Sequence, residues 1–161
     1  MEQDEVLAIL GAVEATGTRL WVAGGWGVDA LVGRQTRAHR DLDLLVDSQR
    51  LEECLALLAA RCYAVETDWL PVRVEVVAAG RGWVDVHPVR LAPDGSGVQA
   101  GLNGTRFDYP AHCFAIGSLA GRGVPCLTAA RQRLLHTGYE TRPQDVHDLG
   151  LLTKLGGANP G

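Results

Sequence analysis

A chain of 161 residues with 47% hydrophobic content is the size of one domain and carries no signature of disorder. Its net charge of −4 argues against nucleic acid held by a broadly basic surface, and no nucleic-acid partner is expected, although a local basic groove stays open. The acidic start MEQDEVLAIL lacks the basic flank of a signal peptide and no apolar run approaches the roughly 18 residues of a membrane span, so a cytoplasmic protein is expected. Residues 4–16 repeat apolar positions at helical spacing behind first-turn acids and predict a helix. RLWVA (19–23) then reads as a short strand ending at Gly24-Gly25, with a short helix over about 26–33. DLDLLV is a second strand, and SQRLEECLALLAARC a second long helix with Ser48 as its cap. YAVET, PVRVEVVA and WVDVHPV predict a meander, turning at Gly80-Arg81-Gly82. LAPDGSGVQAGLNG reads as a glycine-rich loop, FAIGSLAGRGVPCL as a hairpin around Gly121 to Gly123. Two helices follow, the first capped by Thr128 and closed near Gly138, the second starting after Pro143. Cys54, Cys62, Cys113 and Cys126 form no C-x-x-C pair and read as buried free thiols rather than a zinc site.

Three features carry chemistry. Gly24-Gly25 follows a strand and opens a helix, where backbone N–H groups can cradle a phosphate. In HRDLDLLVD, strand alternation sends Leu42, Leu44 and Val46 to one face and Asp41 and Asp43 to the other, and two like charges so placed call for a cation. In GWVDVHPV the same alternation places Asp85 beside His87 and away from Val84 and Val86. A third carboxylate on a neighbouring strand would complete a site for one or two Mg²⁺ ions. His87 itself, followed by Pro88, reads as a structural hydrogen-bonder, and Trp26 as core.

The stretch GGWGVDALVGRQTRAHRDLDLLVD resembles the glycine-pair and D-x-D signature of the DNA-polymerase-β-like nucleotidyltransferase superfamily. In detail it is similar to the lincosamide nucleotidyltransferases, with the aminoglycoside 2″ enzymes as relatives, and the likeness continues through PVRVEVVAAGRGWVDVHPVRLAPDGSG and VPCLTAARQRLLHTGYETRPQDVHDL. It implies an α+β fold, a mixed β-sheet flanked by helices, with a core over about 1–125 and C-terminal helices over about 126–155 of a single domain. It implies transfer of a nucleoside monophosphate, AMP by default, from a Mg²⁺-bound NTP such as ATP to a hydroxyl, with release of pyrophosphate. Asp41, Asp43 and Asp85 are then the ligands of two Mg²⁺ ions, and Gly24 and Gly25 lie against the triphosphate. Asp85 is placed to take the acceptor's proton, with Glu75 as its competitor. Arg37, Arg40 and His39 precede the acidic strand and could meet phosphate oxygens, Arg37 best.

Arg73 and Glu75 share a strand face and match acceptor-pocket positions of the family; their bland alternative is an exposed ion pair. His136, Tyr139 and Glu140 fall in a segment that faces nucleotide and acceptor in the family, and Trp69 could stack on a base or sugar. Asp145 and Asp148 read as capping or decorating the last helix. A pocket rimmed by Glu75, Glu140 and Asp85 suits a cationic hydroxylated small molecule: a lincosamide first, an aminoglycoside second, another metabolite third. A homodimer would give so small an enzyme the depth for such a substrate.

Competing readings start from the same residues. Gly25-Trp26-Gly27-Val28-Asp29-Ala30 fits a relaxed dinucleotide fingerprint with Asp47 as ribose acid, but a parallel Rossmann strand should not carry Asp41 and Asp43. An antitoxin-like domain acting on a protein partner would show a glycine-serine turn and a shorter gap to the D-x-D. A metal-free relic would not need all three aspartates.

Overall fold

The computed structural model describes residues 1–136 and 140–157. Helix α1 (Gln3–Ala15) is followed by β1 (Leu20–Val22), α2 (Gly24–Val32), β2 (Asp41–Asp47) and α3 (Leu51–Ala60). A run of strands comes next: β3 (Ala64–Trp69), β4 (Arg73–Ala78), β5 (Gly82–Leu91), β6 (Gly97–Ala100), β7 (Arg106–Tyr109), β8 (Phe114–Leu119) and β9 (Arg122–Leu127). Helices α4 (Ala129–Leu135) and α5 (Pro143–Gly157) close the chain. Among the described residues the nine strands form one mixed sheet in the order β3-β4-β5-β2-β1-β9-β8, with β6 added to β5 and β7 to β6. β2 runs parallel to β5 and β1 parallel to β9, while the other pairs are antiparallel. This is the α+β mixed-sheet architecture expected.

The alternation of β2 decides how the sheet is covered. Leu42, Leu44 and Val46 enter a core with Val6, Ile9, Leu10 and Val13 of α1 and Leu58 of α3, on one face. Burying each such side chain stabilises the fold by about 1.5–3 kcal/mol. Ala23, Leu45, Val89, Tyr109 and Leu127 form a smaller core with Trp21 and Phe114. Trp26 is fully buried, as expected.

β5 is long enough to change partners along one edge. β4 pairs with Gly82 through Val86, β6 with Val89 through Leu91, while β2 occupies the opposite edge from Trp83 to Val89. His87 and Pro88 lie in the gap between β4 and β6, a place where proline's missing N–H does least harm to a ladder.

Four local expectations are corrected. The loop of residues 91–104 contains β6, whose Val98 and Gln99 pair with β5 and β7. The helix expected from Ser48 opens as a 3₁₀ turn capped by Asp47, which accepts from the Gln49 N–H at 3.1 Å, and becomes α-helical only at Leu51. Thr128 has extended backbone before α4 but makes no side-chain cap. Cys62 is exposed at φ +65°, whereas the other three thiols are free and buried. The closure of α4 near Gly138 lies outside the described residues.

Candidate active site

Strand register alone brings three acids into one row. Asp43 of β2 is level with Asp85 of β5, and Asp85 is level with Glu75 of β4. Burial pushes Asp85 above its ordinary carboxylate value, and the Asp43 charge adds to the rise. Burial also pushes Asp43 up, yet the His87 ring, with Arg73 and His136 beyond, outweighs it and holds that carboxyl below the usual range. Asp43, Asp85 and His87 each offer a donor atom within 4.8 Å of the others, and this is the group among the described residues that could hold a metal ion. Asp41 sits one pleat away on the same face.

Two arginines surround these acids. Arg73 hydrogen-bonds Asp85, lies 3.5 Å from Glu75 and stacks over Trp69 at 4.8 Å. Arg40 donates to Asp41 at 3.2 Å and to Glu75 at 3.5 Å, with its guanidinium 4.8 Å from the Trp83 ring. Glu75 also accepts from Thr67 at 3.4 Å. The pairing of Arg73 with Glu75 foreseen on the strand is real but secondary, because Arg73 is turned chiefly to Asp85.

The glycine pair explains how phosphate and carboxylates can meet. α2 starts at Gly24, two residues earlier than the sequence suggests, and presents its first-turn N–H groups beside Asp43. Gly24 has φ +57°, and a Cβ there would fall 2.0 Å from Asp43 Oδ2. A Cβ on Gly25 would fall 2.4 Å from the Arg37 guanidinium and 2.5 Å from His39 Nδ1. The helix terminus and the acidic strand thus approach as only glycine permits, and hard carboxylate oxygens beside an anion-binding helix end fit a Mg²⁺-bound phosphate.

Of the three basic residues before β2, Arg37 and Arg40 line the cleft, but His39 is turned into the protein. Its Nε2 meets Asp29 at 2.5 Å and its ring packs on Trp26 at 4.4 Å. Asp29, fully buried in α2, also accepts from Thr36 at 2.5 Å, and so ties down the segment that carries Arg37. Asp29 and its role were missed; an acid on an apolar helix face was the available signal.

Arg37 makes a bidentate pair with Asp148 of α5, at 3.0 and 2.6 Å. Asp148 is therefore not a decoration of the helix, whereas Asp145 does cap it, accepting from the Arg142 N–H at 2.8 Å. His136 Nε2 lies 3.8 Å from Asp148 Oδ2, the same oxygen that Arg37 meets at 2.6 Å. Burial pushes Asp148 up, but the Arg37 hydrogen bonds and His136 overcome it and bring its carboxyl to about 2. The drop from 3.8 corresponds to about 2 kcal/mol of folding stability, present above pH 3.8 and lost as the pH falls through the folded value. Asp148 also raises His136 above 6.5, a contribution complete below pH 6.5 and lost as the pH rises through the raised value. Asp148→Asn should therefore lower stability by about 2 kcal/mol at pH 5 in urea titrations. The difference from the parent protein should shrink as the pH approaches 2.

These groups line one cleft of about 1150 Å³. Its lining includes Gly24, Gly25, Arg37, His136 and Asp148, together with Trp69, Arg73, Gly101, Leu102, Phe107 and Tyr109. Trp69, Leu102 and Phe107 remain exposed at the rim. The hairpin β6–β7 supplies part of this wall, which sequence reasoning missed because it took residues 91–104 for a loop. Glu140 is exposed and absent from the lining, whose acids are Asp41, Asp43, Glu75, Asp85, Asp145 and Asp148. Tyr139 lies outside the described residues. No described helix is long and apolar enough to cross a membrane.

Comparison with known proteins bears on the family and the fold. A family model described as aminoglycoside-2″-adenylyltransferase matches residues 5–152. A lincosamide resistance protein of Staphylococcus haemolyticus is 34% identical over 95% of both chains. A 2″-aminoglycoside nucleotidyltransferase of Escherichia coli is 31% identical over 73% of this chain and 63% of its own. The lincomycin-bound crystal structure of the lincosamide antibiotic adenylyltransferase LnuA superposes with a TM-score of 0.89, at 33% identity, covering 96% of this chain and 98% of that one. The solution structure of ANT(2″)-Ia, at 22% identity, shares the fold with a TM-score of 0.76 over 98% of this chain and 87% of its own.

Proposed function

Because this chain belongs to the aminoglycoside-2″-adenylyltransferase family, we propose that it transfers AMP from Mg²⁺-bound ATP to a hydroxyl of a lincosamide-type antibiotic. The observation that carries this reading is the row Asp43, Asp85 and Glu75 facing a glycine-started helix across one cleft. Asp43 and Asp85, with Asp41 alongside, would hold the divalent ion, which when bound supplies neutralisation of phosphoryl charge. Gly24 and Gly25 direct backbone N–H groups at the triphosphate, and Arg37, fixed by Asp148, faces its outer oxygens.

The acceptor is received on the opposite wall, where Trp69 and Phe107 offer apolar faces and Glu75 a negative charge for its amine. Asp85 takes the proton of the acceptor hydroxyl, whose oxygen bonds to the α-phosphorus while the bond to the β-phosphate oxygen breaks and pyrophosphate leaves. Its raised proton affinity suits a base better than the depressed Asp43 beside it. Glu75, one strand further out, becomes the pocket acid that steers the acceptor.

The test is pyrophosphate release from Mg²⁺-ATP against lincomycin, clindamycin, kanamycin, tobramycin and a blank, with mass spectrometry of the products. The expected result is one added AMP on the two lincosamides. Adenylylation of the aminoglycosides alone would replace the acceptor assignment, and silence on all four would overturn it.

A further inference from the structure

Behind the carboxylates runs a hydrogen-bonded chain to which the transfer reaction assigns no part. The Tyr109 hydroxyl of β7 donates to Gln99 Oε1 of β6 at 2.8 Å, and Gln99 Nε2 lies 3.1 Å from His87 Nδ1. On the other side of the ring, His87 Nε2 stands 3.5 Å from Asp43 Oδ1. Tyr109 and Gln99 are buried, so each polar atom in this chain needs its partner.

The direction of the chain follows from the Gln99 amide at its middle. The Arg131 guanidinium packs over the Tyr109 ring at 4.3 Å. The amide oxygen of Gln99 can only accept, so the Tyr109 hydroxyl sends its proton to Oε1. That turns the amide NH₂ of Gln99 toward His87. An N–H facing Nδ1 requires its lone pair, which leaves the ring proton on Nε2, toward Asp43.

We propose that Tyr109 and Gln99 lock His87 as the Nε2–H tautomer, making it a positioning residue that orients the Asp43 carboxylate rather than a third ligand. This deepens the active-site reading and rests on Asp43 being a metal ligand. Without the lock, Asp43, Asp85 and His87 would offer two carboxylates and an imidazole within 4.8 Å, a set that suits zinc. With it, the imidazole lone pair is spent on Gln99 and oxygen alone faces the ion, which suits Mg²⁺. The lock is thus a device of metal choice, set two strands away from the carboxylates it serves.

The experiment is long-range ¹H–¹⁵N correlation of the ¹⁵N-labelled protein without added metal, with the His87 ring assigned by its loss in His87→Gln. The expected spectrum shows Nε2 protonated and Nδ1 bare. Gln99→Leu should shift the ring to a tautomer mixture and tighten Zn²⁺ relative to Mn²⁺ by about tenfold in chelator competition. Tyr109→Phe, which leaves Gln99 in place, should move both readings in the same direction by less. A ring protonated on Nδ1 in the parent protein, or unchanged in both variants, overturns the proposal. Asp43→Asn separates the two levels: if it still binds Mn²⁺ at parental strength the metal reading fails, whatever the tautomer.

Discussion

Asp85→Asn is expected to transfer adenylate at least about a thousandfold more slowly than the parent enzyme. The amide keeps the shape of the carboxyl and a donor or acceptor for Arg73, so the row across β2, β5 and β4 stays in place. What it loses is the capacity to take a proton and the charge that faces the ion. Single-turnover chemistry with a lincosamide acceptor, against ATP affinity measured separately, reads the difference. A near-parental rate would remove Asp85 from the chemistry and pass the base role to Glu75, whose Gln variant is the natural comparison. Removing one of two neighbouring carboxylates should leave the fold as stable or slightly firmer, because Asp43 then has no like charge level with it.

Gly24→Ala should be almost as damaging with no chemical group removed. A methyl at that position meets Asp43 Oδ2 at 2.0 Å and Cγ at 2.9 Å, and φ +57° is already costly for an L-residue by about 1–2 kcal/mol. Asp43 must swing away or the start of α2 must lift, and a misplacement on the order of 1 Å in such a site costs about a hundredfold in rate. Gly121→Ala is the matched control, since its φ is +76° but nothing lies within 4 Å of a Cβ. It should lose about 1 kcal/mol of stability and no activity. Equal activity loss in both variants would trace the Gly24 effect to general strain rather than to the carboxylate.

The parts of the site that could be read from the chain are those carried by short-range period. Asp41, Asp43, Asp85 and His87 follow from the two-residue alternation of strands, and Gly24-Gly25 from a strand meeting a helix. Arg37 is expected from the sequence to face the cleft and does line it, but its tie to Asp148 spans 111 positions and no local pattern announces it. His39 looked like a companion of Arg37 because the stretch carries several bases; its partner Asp29 sits on a helix whose burial depends on β2 and β8 packing around it. Gln99 was hidden for a different reason. Glycine and proline around it spell a loop, and only the free edge of β5 beyond Val86 converts those residues into a strand.

That change of partner along β5 divides the labour of the molecule. In the proposed reading the nucleotide is handled from α2, β2 and the first half of β5, with Arg37 braced by α5, whereas the acceptor wall combines β3 and β4 with β6 and β7, which hang from the second half of β5. A lineage could lengthen, shorten or repaint the hairpin and so trade one antibiotic for another, while inheriting its adenylylating apparatus unaltered. Drug range and reaction type would then drift at separate tempos within a single small enzyme.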